Sequence, residues 1–213
     1  MAELFITSDI VTCVLAFIDE AASALKEGCC LSLLQYRMLA FLDDHLDGTA
    51  PVPLARLLEV SLASISIAAR KLADNHLVSQ GGPRQTSYHL TLSKRGLGVA
   101  RVADAALVNA HEEFFSVLPA HLRTIVDVGA AITNQGSSSA MHIRDGHFFT
   151  AFETLLAFLT IERLLTRSTH ERGLSLTQFR IMFEADRKGS VLPNELAEML
   201  LLSPSTVTYA LNG

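Results

Sequence analysis

Between Ser61 and Lys71 the chain sets small and hydroxyl-bearing residues ahead of two cations: Ser61, Ala63, Ser64 and Ser66, then Ile67, Arg70 and Lys71. On a helix capped by Ser61 these residues share the outward side, with Ile65, Ala69 and Leu72 turned inward. The chemistry open to such a face is recognition. Short side chains let a helix backbone approach base edges, and an arginine or lysine further along reaches guanine or phosphate. A plain solvated face has the same composition, so the surrounding elements must decide between the two.

Other chemistries find no support in the residue pattern. The chain shows no nucleophile elbow, phosphate loop or paired-carboxylate arrangement, and an enzyme is not expected. Gly96-Leu97-Gly98 lies at a helix start but lacks the preceding strand and third glycine of a dinucleotide site. The 8 histidines are scattered without metal spacing, so no metal or other cofactor is expected. The 3 cysteines, Cys13, Cys29 and Cys30, do not make a disulfide framework and fit a reducing cytoplasm. Oxidant sensing by these thiols would need a lowered pKa, and only Lys26 is close in sequence.

Charge is the first contextual argument. The 213 residues carry a net −5, which by itself argues against a polyanionic partner. Between Ser61 and Arg101, however, 6 basic residues (Arg70, Lys71, Arg84, Lys94, Arg95, Arg101) face the single acid Asp74. That stretch is +5 and the remainder −10, so a basic island sits in an acidic chain. Apolar residues make up 49% and charged ones 18%, and the mean hydropathy is +0.32. Extra burial between helices or subunits is expected from this balance. The most apolar run free of charge, Ile10 to Ile18, is too short to cross a bilayer, and Met1-Ala2-Glu3-Leu4 has no basic leader. A membrane span and export are therefore not expected.

The elements that must position the face follow from local signals. Ile10, Val14, Phe17, Ile18, Ala21 and Leu25 predict a helix from Asp9 to about Glu27, stopping at Gly28. Ser32 and Gln35 form a capping box for a second helix, with Leu31 and Tyr36 as a hydrophobic staple. Pro53 fits the first turn of a short helix through Leu58. After the Ser61 helix, residues 77–80 and 87–92 read as two short strands around Gly81-Gly82-Pro83, with Arg84 near the tip. Ser93 caps a long helix to about Val117, striped by Val99, Val102, Ala103, Ala106, Ala110 and Phe114. Pro119 opens another helix to about Asn134, and a further helix spans Asp145 to about Glu171. The fold class is mainly α, a winged helix-turn-helix with a small β-hairpin wing and long dimerisation-type helices.

The signature returns. Leu31-Ser32-Leu33-Leu34-Gln35-Tyr36-Arg37 is echoed by Leu174-Ser175-Leu176-Thr177-Gln178-Phe179-Arg180, and Leu54-Ala55 and Ser61 by Leu196-Ala197 and Ser203. Two copies in tandem are expected: a complete unit over 1–135, a linker at 136–144, and a second unit over 145–213 that stops after its recognition helix. From Ser203 to Asn212 that second helix has no basic residue.

This order of elements, with Leu31-Ser32-x-x-Gln35, Leu54-Ala55, Ser61 to Leu72, Leu77-Val78 and Leu90-Thr91-Leu92-Ser93-x-x-Gly96, resembles the MarR family of bacterial transcriptional regulators. The resemblance covers roughly residues 5–135 and, in part, 145–213. It implies a cytoplasmic regulator of a near-palindromic operator in double-stranded DNA, acting as a homodimer or, in a tandem chain, an intrachain pseudo-dimer. Ser64, Ser66, Ile67 and Arg70 would meet the major groove, Arg84 the minor groove, and Lys71, Lys94 and Arg95 the phosphates. A small aromatic effector would bind where the first, second and Ser93 helices converge, with Phe17, Tyr36, Phe41 and Phe114 as candidate lining. Departures are specific: the family's Asp-x-Arg at the wing tip is Gly82-Pro83-Arg84 here, and the glycine before Leu-Val is His76. The rival expectation is a ligand-sensing or protein-interaction module that keeps the fold without DNA affinity.

Overall fold

A serine whose hydroxyl accepts from the backbone amide three residues on fixes where a helix starts, and the chain uses this device repeatedly. In the computed structural model, which describes residues 8–45, 47–81, 89–119 and 146–212, α1 spans Ser8–Cys29 and α2 Leu33–Asp44. Then come α3, Pro51–Leu58, and α4, Leu62–Asp74, followed by strands β1, Val78–Gln80, and β2, Leu90–Leu92. Helix α5 covers Lys94–Val117, α6 Gly146–His170, α7 Leu176–Lys188, α8 Pro193–Met199 and α9 Pro204–Asn212. The structure is a winged helix-turn-helix of mainly α class. The expected linker at 136–144, the 119–134 helix beyond Pro119, and the wing tip with Arg84 lie outside the described residues.

The described residues belong to two compact units. One holds residues 20–116 and the first part of α6 to Phe152; the other holds α1 to Asp19, residues 117–119 and the chain from Glu153 onward. In the first unit, Ser32 accepts from the Gln35 amide at 3.3 Å while the Gln35 side chain accepts from the Ser32 amide at 2.9 Å, so the predicted capping box is present. Helix α3 starts at Pro51, two residues before the expected Pro53, so both prolines occupy the first turn, where a missing N–H is harmless. Helix α1 continues past Gly28 to Cys29 and ends at Cys30, whose φ of 55° turns the chain out of the helix. The core here is made by Tyr36, Met38, Leu39, Leu42, Leu54, Ile65, Leu72, Leu90 and Leu107, all fully buried.

The two strands pair antiparallel with Val78 opposite Leu92 and Gln80 opposite Leu90. A third partner was not foreseen: Thr49 exchanges both backbone hydrogen bonds with Leu90, at 3.0 and 2.9 Å, tying the α2–α3 loop to the wing. Helix α5 also corrects an expectation. Its buried line is Gly96, Ala100, Ala103, Asp104, Leu107 and Ala110, while Val102 is 55% exposed. The stripe is turned because Gly96 sits directly on the wing. A Cβ at that position would collide with the Leu77 carbonyl oxygen, so only glycine allows this approach.

In the second unit α7, α8 and α9 pack around Ile181, Leu196, Ala197, Leu200 and Val207. Its local bonds match those of the first helix-turn-helix. Ser175 and Gln178 form a capping box, at 3.1 and 2.9 Å. Arg180 donates to the Leu200 carbonyl at 2.7 Å, as Arg37 donates to that of Leu58 at 2.9 Å. Leu201 and Glu59 both adopt left-handed backbone, with φ of 54° and 53°, and each ends a short helix. Arg180 is itself buried and also donates to Thr12 at 3.0 Å; burial lowers its pKa from the usual arginine value, opposed by Asp19.

Candidate nucleic-acid interface

The candidate face is carried by α4. Ser61 stands in extended backbone and accepts from the Ser64 amide at 3.0 Å, with its hydroxyl also 2.8 Å from that of Ser64. This bond fixes where the helix starts. Ile65, Ala68, Ala69 and Leu72 are then buried, and Ser61, Ala63, Ser66, Ile67, Arg70 and Lys71 are exposed, with Ser64 half-buried. Ser66 donates its hydroxyl to the Leu62 carbonyl at 2.9 Å, which leaves its oxygen facing outward as an acceptor.

The turn after α4 places the next cations. His76 has a φ of 59°, the left-handed conformation that a glycine would adopt without strain. Its amide donates to the Ala73 carbonyl at 2.8 Å and the following Leu77 amide to Leu72 at 2.8 Å, which closes the helix. The Ser93 hydroxyl donates to the His76 carbonyl at 2.7 Å and accepts from the Gly96 amide at 2.9 Å. One serine thus caps α5 and pins it to the end of α4. Lys94 and Arg95, both exposed, follow at once.

Their placement is electrostatically unfavourable for the fold alone. The first turn of a helix carries partial positive charge, and a cation there typically costs about 0.3–1 kcal/mol. Arg70 and Lys71, near the end of α4, suffer no such penalty. Among the described residues no hydrogen bond or ion pair engages the side chains of Arg70, Lys71, Lys94 or Arg95. The sixth member of the basic island behaves differently. Arg101 pairs with Asp43 at 3.2 Å and lies 3.9 Å from Asp104, so it serves the packing of α5 on α2. Arg84 lies outside the described residues.

The aromatic residues suggested for an effector each have a packing partner. Phe17 meets Phe158 edge-on at 5.4 Å and Tyr36 meets Phe152 at 5.9 Å. Phe41 stacks on His45 at 3.9 Å, and Phe114 lies against Phe115 at 5.5 Å. Tyr36 is fully buried and donates to Asp104 at 3.1 Å, a buried acid that sequence reading missed. Its signal was there: Asp104 falls at helical spacing from Ala100 and Leu107. The thiols of Cys13 and Cys29 are not activated. Burial pushes Cys13 up to about 11, and Cys29 is raised by burial and then by Cys30 and Asp104.

The surface of α9 is the counterpart. Ser203 accepts from the Thr206 amide at 3.1 Å, Thr208 donates to the Pro204 carbonyl at 2.9 Å, and Val207 is buried. Its outward residues include Ser205, Thr206, Thr208, Asn212 and Tyr209, which is 83% exposed, with no cation among them. Among the described residues no group of three or more potential metal ligands occurs, and no single helix is long and apolar enough to cross a membrane.

No protein-family model matches the chain, and no curated protein does. Solved structures do. A MarR family transcriptional regulator from Rhodococcus sp. RHA1 superposes with a TM-score of 0.50 at 14% identity, over 59% of this chain and 88% of that one. A MarR family protein of Mycobacterium tuberculosis in complex with DNA gives 0.46 at 24% identity, over 59% and 92%. CouR from Rhodococcus jostii RHA1, bound to p-coumaroyl-CoA, gives 0.47 at 16%, over 60% and 88%. The first of these likenesses establishes that the chain has the fold of a MarR family regulator.

Proposed function

We propose that this chain is a MarR-type transcriptional regulator that binds double-stranded DNA and is not an enzyme. Ser64, Ser66, Ile67 and Arg70 of α4 enter the major groove, Arg84 enters the minor groove, and Lys71, Lys94 and Arg95 sit at phosphates. The observation that carries this reading is the set of four exposed cations, Arg70, Lys71, Lys94 and Arg95, which no described acid engages and two of which stand at the wrong end of a helix dipole. A duplex backbone supplies the missing counter-charge. Residues 145–213 are a second, partial copy of the unit, and the matched caps and arginine bonds support that view. The regulator acts in the cytoplasm as a homodimer or intrachain pseudo-dimer, and a small aromatic effector near Phe17, Tyr36, Phe41 and Phe114 modulates it.

The test is a gel-shift with the DNA upstream of the chain's own gene at several salt concentrations. With about five phosphates neutralised, log affinity falls against log salt with a slope on the order of −4 to −5. Affinity that ignores salt, or absent for every promoter fragment, defeats the assignment.

A second reading, a protein-interaction module without DNA affinity, is favoured by one observation. Helix α9 offers Tyr209 and its neighbours with no cation. A stoichiometric protein complex, together with no shift of upstream DNA, selects it.

A further inference from the structure

Resting on the DNA-binding reading, we propose that Ile67 is a base-reading residue that recognises the methyl group of a thymine, beside the guanine taken by Arg70. Side chains on a helix advance by about 100° per residue, so the direction opposite a buried stripe is well defined. With Ile65, Ala68, Ala69 and Leu72 buried, that direction is shared by Ala63, Ile67 (61% exposed), Arg70 and Asp74. Ala63 lies one turn before it and Lys71 one turn after, with Ser64 and Arg70 on either side. Ile67 is therefore the large apolar side chain on the side of α4 turned away from the core, with Arg70 and Lys71 beside it.

Nothing in the fold accounts for isoleucine there. Its side chain is mostly exposed and contributes little burial, and a β-branched residue is a poorer helix former than alanine, lysine or glutamate. Single exposed apolar residues are common on surfaces, so exposure alone would carry little. Position carries the argument: a bulky, stiff, methyl-bearing side chain projects where a helix would insert into a groove, beyond the reach of Ser64 and Ser66. In the major groove the one apolar feature that standard bases present is the thymine C5-methyl. Ala63 preceding it is short enough to let the helix approach. Arg70 is three residues on, about 4.5 Å along the axis, so the thymine lies within a base pair or two of the guanine held by Arg70.

The experiment uses the full chain and a duplex selected by it from a random-sequence pool. Each thymine near the protected guanine is replaced in turn by deoxyuridine, which removes the methyl and leaves every hydrogen-bonding group in place. At one position affinity is expected to fall about fourfold, the effect of one buried methyl. Ile67→Ala binds the thymine and uridine duplexes equally, whereas Arg70→Ala loses affinity yet keeps their ratio. Equal binding of both duplexes by the unaltered chain, or a ratio that survives Ile67→Ala, overturns the proposal and leaves DNA binding standing. A change in self-association on Ile67→Ala with DNA affinity intact also overturns it, assigning the side chain to a second copy. Recovery of no duplex overturns the regulator reading itself, and this inference with it.

Discussion

The helix-turn-helix around α4 and the one around α9 share their internal bonds and differ in what they show to solvent. Each begins with a serine–glutamine capping box, uses an arginine to hold the carbonyl that ends its short helix, and starts its last helix on a serine. Outward, α4 carries Arg70 and Lys71, whereas α9 carries Tyr209 and Asn212 and no cation. Scaffold and surface are thus separable. The polar bonds that specify the fold face inward or along the backbone, so the exposed positions can differ without disturbing it.

The most disruptive way to test that separation is in the cores. Ile65 and Val207 occupy matching positions and are both fully buried. Ile65→Ala should cost about 2–5 kcal/mol, and Val207→Ala, losing fewer methylenes, about 2 kcal/mol, as read by hydrogen exchange in the helices around each site. No measurable loss at Val207 would mean the second helix-turn-helix is not a packed unit.

The surfaces come next. Arg70→Ala should weaken binding to a selected duplex by about 1–3 kcal/mol with little change in Tm, while Asn212→Ala leaves binding unchanged. Equal losses at the two sites would erase the contrast between α4 and α9. The caps should then behave alike: Ser61→Ala and Ser203→Ala each lose about 1 kcal/mol in urea unfolding. A cap effect at only one of them would show that the matching bonds do not have matching weight.

A smaller gain is expected where left-handed backbone is occupied by a side chain. His76→Gly and Leu201→Gly should each stabilise by about 0.5–1 kcal/mol, measured by urea midpoint, because glycine relieves the strain but adds chain entropy. The smallest effect concerns pH. Burial, and then Asp19, raise the pKa of Glu162, so the folded state binds this proton more readily than the unfolded chain. Stability associated with it is greatest below the ordinary carboxyl pKa of 4.5 and declines as pH rises through the raised value. Glu162→Gln should flatten that decline in a pH series of thermal melts, and an unchanged profile would remove Glu162 as its source.

Much of this was legible because it is local. Capping boxes, proline starts and the alternation of Leu90 and Leu92 are settled by neighbours within four residues, and they emerge where the spacing puts them. The features missed depend on distant partners. Thr49 pairs with Leu90 across 41 residues, and Gly96 turns α5 so that Val102 faces out and Asp104 in. The basic island could be counted from the residue string. That Arg101 is spent on Asp43, leaving Arg70, Lys71, Lys94 and Arg95 outward, required the packing of α5 on α2.

The seat of Gly96 on the Leu77 carbonyl has a mechanical consequence. A contact between a backbone methylene and a carbonyl has no rotamer to relax into, and Ser93 clamps the same spot from the other side. The start of α5 is therefore keyed to the base of the hairpin through backbone atoms, as a crank is keyed to its shaft.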